Sequence, residues 1–243
     1  MITSLRNISL LVSEHLDERR RVSSPFFRKY PYSGSVWIRA VDKRGMIALD
    51  HGFFFNRVPK SANSTVAVAL ARACGVASIS EDSDGNWAKF AFKMPSALSR
   101  SEVSDFDSTF KFTFVRNPYH RILSAYLDKV RTGRKTKGMS SFPEFCRFLD
   151  NGGLLNNAHW APQSSILLLP IDRFDFIGRV EALNADLATV FAALDFPLPD
   201  KFSRAGPPAT KAAEMMREHY TDECREIVAR LYRTDFEAFG YEV

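Results

Sequence analysis

Residues 110–126 run Phe-Lys-Phe-Thr-Phe-Val-Arg-Asn-Pro-Tyr-His-Arg-Ile-Leu-Ser-Ala-Tyr, and their pattern decides the fold class. Phe110–Val115 alternates and is rich in Phe and Thr, as a strand is. Asn117 is a good helix N-cap, and Pro118 a good first helical residue. Beyond them Ile122, Leu123, Tyr126, Leu127 and Val130 make an apolar stripe at helical spacing, predicting a helix over Tyr119–Arg131. Arg116 therefore leaves a strand at the mouth of a helix, with Ser124 two turns along it. An Arg fork and a hydroxyl so placed can share one phosphate. They can equally be an Arg at a sheet edge and a solvent-facing Ser.

The same grammar occurs upstream. Gly52–Val58 is a short apolar run suited to a buried strand, and Pro59 ends it. Thr65–Cys74 is alanine-rich and helical, with Gly75 where a C′ glycine belongs. Downstream, a helix is expected over Phe142–Leu149 and a short strand over Phe174–Ile177, ending at Gly178. Further helices are expected over Glu181–Leu194 and, as one long element, Ala209–Tyr232. Strands alternating with helices predict an α/β domain whose central sheet is mostly parallel and flanked by helices. Residues 51–243 are read as this domain. Residues 1–50 are read as an N-terminal extension packed on it, with an amphipathic helix within 1–22.

Between the upstream strand and helix lies Pro59-Lys60-Ser61-Ala62-Asn63-Ser64-Thr65. A loop entering a helix presents free N–H groups to an anion. Lys60 adds charge, and Ser61, Ser64 and Thr65 add hydroxyls. A Walker A loop places its Lys at the end, after glycines. Here Lys60 comes first and no glycine is present, which weighs against ATP or GTP with magnesium. A plain turn with a surface Lys fits this segment as well.

The whole chain sets looser bounds. It has 243 residues, a formal charge of +5, and 21 Phe within 45% apolar residues. That suits a well-packed domain with an anionic small ligand or acidic polymer, and it is too weak a charge to argue for nucleic acid. Three widely spaced cysteines and five scattered histidines give neither a disulfide framework nor metal-ligand spacing, so no metal is expected. The apolar run 8–12 is too short for a membrane span and is followed by charges. No transmembrane segment and a cytoplasmic location are expected, with peripheral membrane association left open. Oligomeric state is not readable.

The two phosphate-gripping segments resemble those of sulfotransferases. Pro59-Lys60 followed by Ser61, Ala62, Asn63, Ser64 and Thr65 resembles the loop that cradles the 5′-phosphate of PAPS (3′-phosphoadenosine 5′-phosphosulfate). Asn63, with no glycine nearby, departs from the pattern, and Asn tolerates a left-handed backbone. Arg116-Asn117-Pro118-Tyr119, then Arg121, Ser124 and Tyr126, resembles the 3′-phosphate motif of carbohydrate sulfotransferases. His159-Trp160-Ala161-Pro162, Phe174–Glu181 and Leu231–Tyr241 resemble the Golgi branch that includes the chondroitin enzymes. That branch commonly carries cysteines after the His-Trp block, where this chain has Ile166–Pro170. The resemblance implies a P-loop-NTPase-like three-layer fold and PAPS as donor. It also implies a carbohydrate or similar hydroxyl acceptor; the basic loop Arg131–Lys137 could attract an acidic or already sulfated one, and a solvated loop fits those residues equally. Lys60 would stabilise the leaving group, and Arg116 and Ser124 would hold the 3′-phosphate. His159 is the first choice of general base, ahead of Glu181 and His120, although a His before Trp is also commonly a packed structural residue. An atypical P-loop small-molecule kinase and a non-catalytic module gripping PAP or a glycan are the competing readings.

Overall fold

The computed structural model describes residues 14–76, 85–133, 135, 138–206 and 210–243. Residues 14–22 are helical. The rest of the expected amphipathic helix, with the run 8–12, lies outside the described residues, as do 134, 136 and 137 of the basic loop.

Short helices α1 (Pro25–Lys29) and α2 (Ile38–Asp42) come next. The chain then forms β1 (Gly45–Ala48), β2 (Phe53–Asn56), α3 (Asn63–Ala73), α4 (Arg100–Asp105), β3 (Phe110–Val115) and α5 (Pro118–Ala125). After these come α6 (Phe142–Phe148), β4 (Phe176–Arg179), α7 (Leu183–Ala193), α8 (Asp222–Leu231) and α9 (Arg233–Phe239).

Among the described residues four strands make one sheet, in the order β1-β2-β3-β4. The β2–β3 and β3–β4 pairs are parallel, and β1 lies antiparallel against β2. Parallel neighbours need long crossovers, which the helices supply. The sheet begins at Gly45, inside the stretch read as an extension.

Successive phenylalanines of β2 point to opposite faces, as strand geometry requires. Phe53 and Phe55 pack with Val66, Leu70, Leu187 and Phe191 of α3 and α7. Phe54 packs on the other face with Phe26, Val41 and Phe106. Both faces are thus buried, which is why β2 reads as an unbroken apolar run, and the result is three layers. A further cluster joins α5, α6, α8 and α9 through Leu123, Phe145, Trp160, Val228 and Phe236. Gly178 pairs with Phe114 across β3–β4, and a Cβ there would stand 2.5 Å from the Phe114 ring.

The single long helix expected over Ala209–Tyr232 does not form. Residues 207–209 lie outside the described residues, and Met216–His219 is one isolated turn. Helix α8 starts afresh behind Thr221, whose hydroxyl accepts from Cys224 N–H at 3.2 Å. That cap satisfies an orphan donor which a continuous helix would not leave free. Helix α5 runs on as expected, but with a π-helical turn over Tyr126–Val130.

Candidate active site

A cavity of about 670 Å³ opens where β2, β3 and β4 end, lined by residues just past each strand: Arg57, Pro59, Lys60, Ala62, Asn63, Ser64, Thr65, Arg116 and Val180. Ligands of open parallel sheets bind at this carboxyl edge. Nine Lys or Arg residues line the cavity against two carboxylates, Asp128 and Glu214, so it is built for an anion.

The loop after β2 is strained. Lys60 and Ala62 have φ of 68° and 53°. Such a conformation costs roughly 1–3 kcal/mol per non-glycine residue and persists only where surroundings impose it. Asn63, expected to take the left-handed turn, is instead the first residue of α3, and Ala62 occupies the cap position. Ala62 has no capping side chain, so the first N–H groups of α3 stay available for a ligand.

Two buried side chains impose this shape. Arg121, fully buried, donates from Nε to Pro59 O at 3.0 Å, from Nη1 to Ala161 O at 2.8 Å and from Nη2 to Ala158 O at 3.1 Å. It therefore ties the strained loop to the His-Trp block. Gln163, also fully buried, accepts from Ser61 Oγ at 3.1 Å and from Arg116 N–H at 2.9 Å, and its Nε2 donates to Arg116 O at 2.8 Å. One amide thus sets the spacing of the Lys60 loop and the Arg116 turn. Asp235 fixes Gln163 in turn, accepting from Gln163 N–H at 2.6 Å and from Ser164 N–H at 2.9 Å.

The predicted site residues divide accordingly. Lys60, Ala62, Asn63, Ser64, Thr65, Arg116, Ser124 and His159 all line the cavity. Ser61 is fully buried, and its hydroxyl is spent on Gln163. Thr65 Oγ1 donates to Ala205 O at 3.3 Å. Arg116 Nη1 donates to Lys60 O at 3.4 Å, so the two segments touch. Ser124 Oγ accepts from Thr210 Oγ1 at 3.0 Å. Asn117 caps α5 as expected, accepting from Tyr119 N–H at 3.0 Å.

Lys60 Nζ pairs with Asp128 Oδ2 at 2.9 Å, and Lys129 Nζ reaches the same oxygen at 3.1 Å. Asp128 belongs to the π-helical turn, a feature common at functional sites. Burial lowers the Lys60 pKa and outweighs the opposing pull of Asp128. In Asp128 the order reverses: burial pushes the carboxyl up, but Lys60 and Lys129 bring it below its usual range.

His159 Nδ1 lies 2.7 Å from Asn157 Oδ1, which also accepts from His159 N–H at 3.1 Å. The amide oxygen can only accept, so Nδ1 carries the hydrogen and Nε2 the lone pair. Burial, followed by the charges of Arg44, Lys129, Lys60 and Lys135, holds the imidazole well below its usual pKa. Trp160 is a core residue whose Nε1 donates to Gly153 O at 2.9 Å.

The two weaker base candidates are occupied with each other. His120 Nδ1 lies 3.8 Å from Glu181 Oε1. Glu181 also accepts from Asn117 N–H at 2.9 Å and from Tyr241 OH at 3.0 Å. Burial raises its pKa, but these donors bring it to about 2, too low for a base near neutrality. Neither residue lines the cavity.

Fold and site together define an α/β anion-binding domain of the P-loop-like type. Residues 43–242 match the model of the Sulfotransferase family, and the chain belongs to that family. It is 30% identical over 158 residues to carbohydrate sulfotransferase 14 of Mus musculus, an alignment covering 54% of this chain and 42% of that protein. To carbohydrate sulfotransferase 8 of Homo sapiens it is 24% identical over 264 residues, covering 92% of this chain and 62% of the relative. The chain thus spans about two fifths to three fifths of the length of these relatives. No solved structure matches it. Among the described residues no group of three His, Cys, Asp or Glu could hold a metal ion, and no helix is long and apolar enough to cross a membrane.

Proposed function

We propose that the chain transfers a sulfuryl group from PAPS to a carbohydrate hydroxyl and releases PAP. The observation that carries this reading is that the Lys60 loop, the Arg116–Ser124 segment and His159 line one cationic cavity. A donor with phosphates at both ends of an adenosine needs two such grips.

The donor supplies the electrophilic sulfur. The N–H groups at the start of α3, with Ser64 and Thr65, hold its 5′ end. Arg116 and Ser124 hold the 3′-phosphate. Phe90, 65% exposed, and Phe202 line the cavity and offer faces for adenine. His159 Nε2 takes the acceptor's proton as the acceptor oxygen bonds to sulfur and the sulfur–oxygen bond to the 5′-phosphate breaks. Lys60 meets the charge left on that phosphate oxygen. Positioning and charge do most of the work in such a transfer.

Thermal shift with PAP against ATP and magnesium, with a sulfate-transfer assay from PAPS, tests this. Stabilisation by PAP and transfer to a glycan are expected; stabilisation by ATP alone contradicts the reading. Because His159 stays neutral well below its usual 6.5, the acid limb of kcat/KM should lie below pH 6.5. A limb at or above 6.5 assigns the base elsewhere.

A further inference from the structure

Among the described residues two guanidiniums in the cavity wall have no counter-ion. Arg57 follows β2 and is 6% exposed. Its Nη2 donates to Lys43 O, and its Nε is buried without a partner. Arg44 stands beside it, because Gly45 pairs with Asn56 and Arg57 N–H donates to Arg44 O at 2.8 Å. The Arg44 Nε is likewise buried and unpartnered. Both residues line the cavity, together with Lys43.

Among the described residues no carboxylate offsets either charge. Burial alone pushes Arg57 down to about 10. Burial, then Arg57 and Arg121, push Arg44 down to about 9. The neighbouring cations differ: Arg121 is met by three carbonyls, and Lys60 by Asp128. A buried cation lacking both a carboxylate and a full set of acceptors is costly, and a native site that keeps the buried Arg57 beside the half-buried Arg44 points to a ligand supplying the anion.

Their place says which ligand. Arg44 and Arg57 sit on the β1–β2 side of the strained loop, whereas Arg116 leaves β3 on its other side. Arg44 also lines the same cavity as His159, the residue beside which the acceptor hydroxyl must lie, and its charge helps depress the imidazole. We propose that Lys43, Arg44 and Arg57 form an acceptor subsite that binds an oxyanion, a carboxylate or a sulfate ester, carried next to the hydroxyl presented to His159. This rests on the sulfuryl-transfer reading. It makes the acceptor an acidic glycan, held by cations separate from those that hold the donor.

The test measures binding of short dextran, carboxymethyl-dextran and dextran-sulfate oligomers of low substitution to the PAP-saturated protein at about 150 mM salt. At least one anionic oligomer should bind about tenfold tighter than neutral dextran. Arg57→Met should flatten that preference while leaving PAP affinity unchanged. Arg44→Gln, at a less buried position, should do the same and guards against misfolding of the first variant. Equal binding of all three oligomers, or a preference that survives both substitutions, overturns the proposal. So does a loss of PAP affinity in the two variants, which assigns the guanidiniums to the donor. Failure of the wild-type protein to bind PAP strikes instead at the sulfuryl-transfer reading.

Discussion

The loop after β2 and the turn after β3 perform the same geometric task, aiming groups from a strand end into one cavity, and Gln163 ties both, yet only the turn takes its backbone shape from local signals. The turn after β3 follows local rules: Asn117 caps, Pro118 opens the helix, and both can be seen in five residues. The loop after β2 breaks them, placing Lys60 and Ala62 in left-handed conformations with no glycine. Its shape comes from elsewhere, through Arg121 and Gln163, 62 and 102 positions away from the loop residues they hold. A loop that aims groups into a cavity can thus take its shape from local signals, or it can borrow it from the domain around it. The borrowed one leaves the first turn of α3 without a side-chain cap.

Removing the borrowed support should show this most strongly. Arg121→Leu leaves three buried carbonyls without their charged donor, each bond being worth about 1.5–3 kcal/mol. Chemical denaturation should register a loss of at least about 3 kcal/mol. A loss under about 1 kcal/mol would mean that the loop holds its strained shape unaided.

A smaller effect sharpens the comparison from the charge side. Asp128 holds Lys60 in the absence of a donor, so Asp128→Asn should free it and remove a negative charge from the cavity. Calorimetry at low salt should show PAP binding tightened about fivefold, with the gain shrinking as salt is added. Unchanged affinity would show that Asp128 does not compete with the donor for Lys60.

The same contrast explains what was legible. Period-two alternation in β3, the Asn117–Pro118 signal and the α5 stripe are local, and they placed strand, turn and helix correctly. The loop's left-handed residues are not local: nothing within 59–65 marks Lys60 and Ala62 rather than Asn63, because a distant Arg121 decides. Gln163 directly follows the His-Trp block, but its role arises only when Ser61, Arg116 and Asp235 converge on it. Arg44 and Arg57 look like ordinary surface cations until β1 folds against β2. Helix α4 did carry a local sign, the Ser99 and Glu102 capping box, but at six residues it is too short to show a stripe. The break before α8 was hidden by apolar residues on both sides of Thr221.

In the proposed function the turn after β3 reads a 3′-phosphate. Calorimetric binding of PAP and of adenosine 5′-phosphate, each to the wild-type protein and to Arg116→Ala, tests it most directly. Removing the 3′-phosphate should cost the wild-type protein about 1.5–3 kcal/mol, the worth of a charge-assisted contact, and should cost the variant little. Equal losses in both proteins would contradict the account.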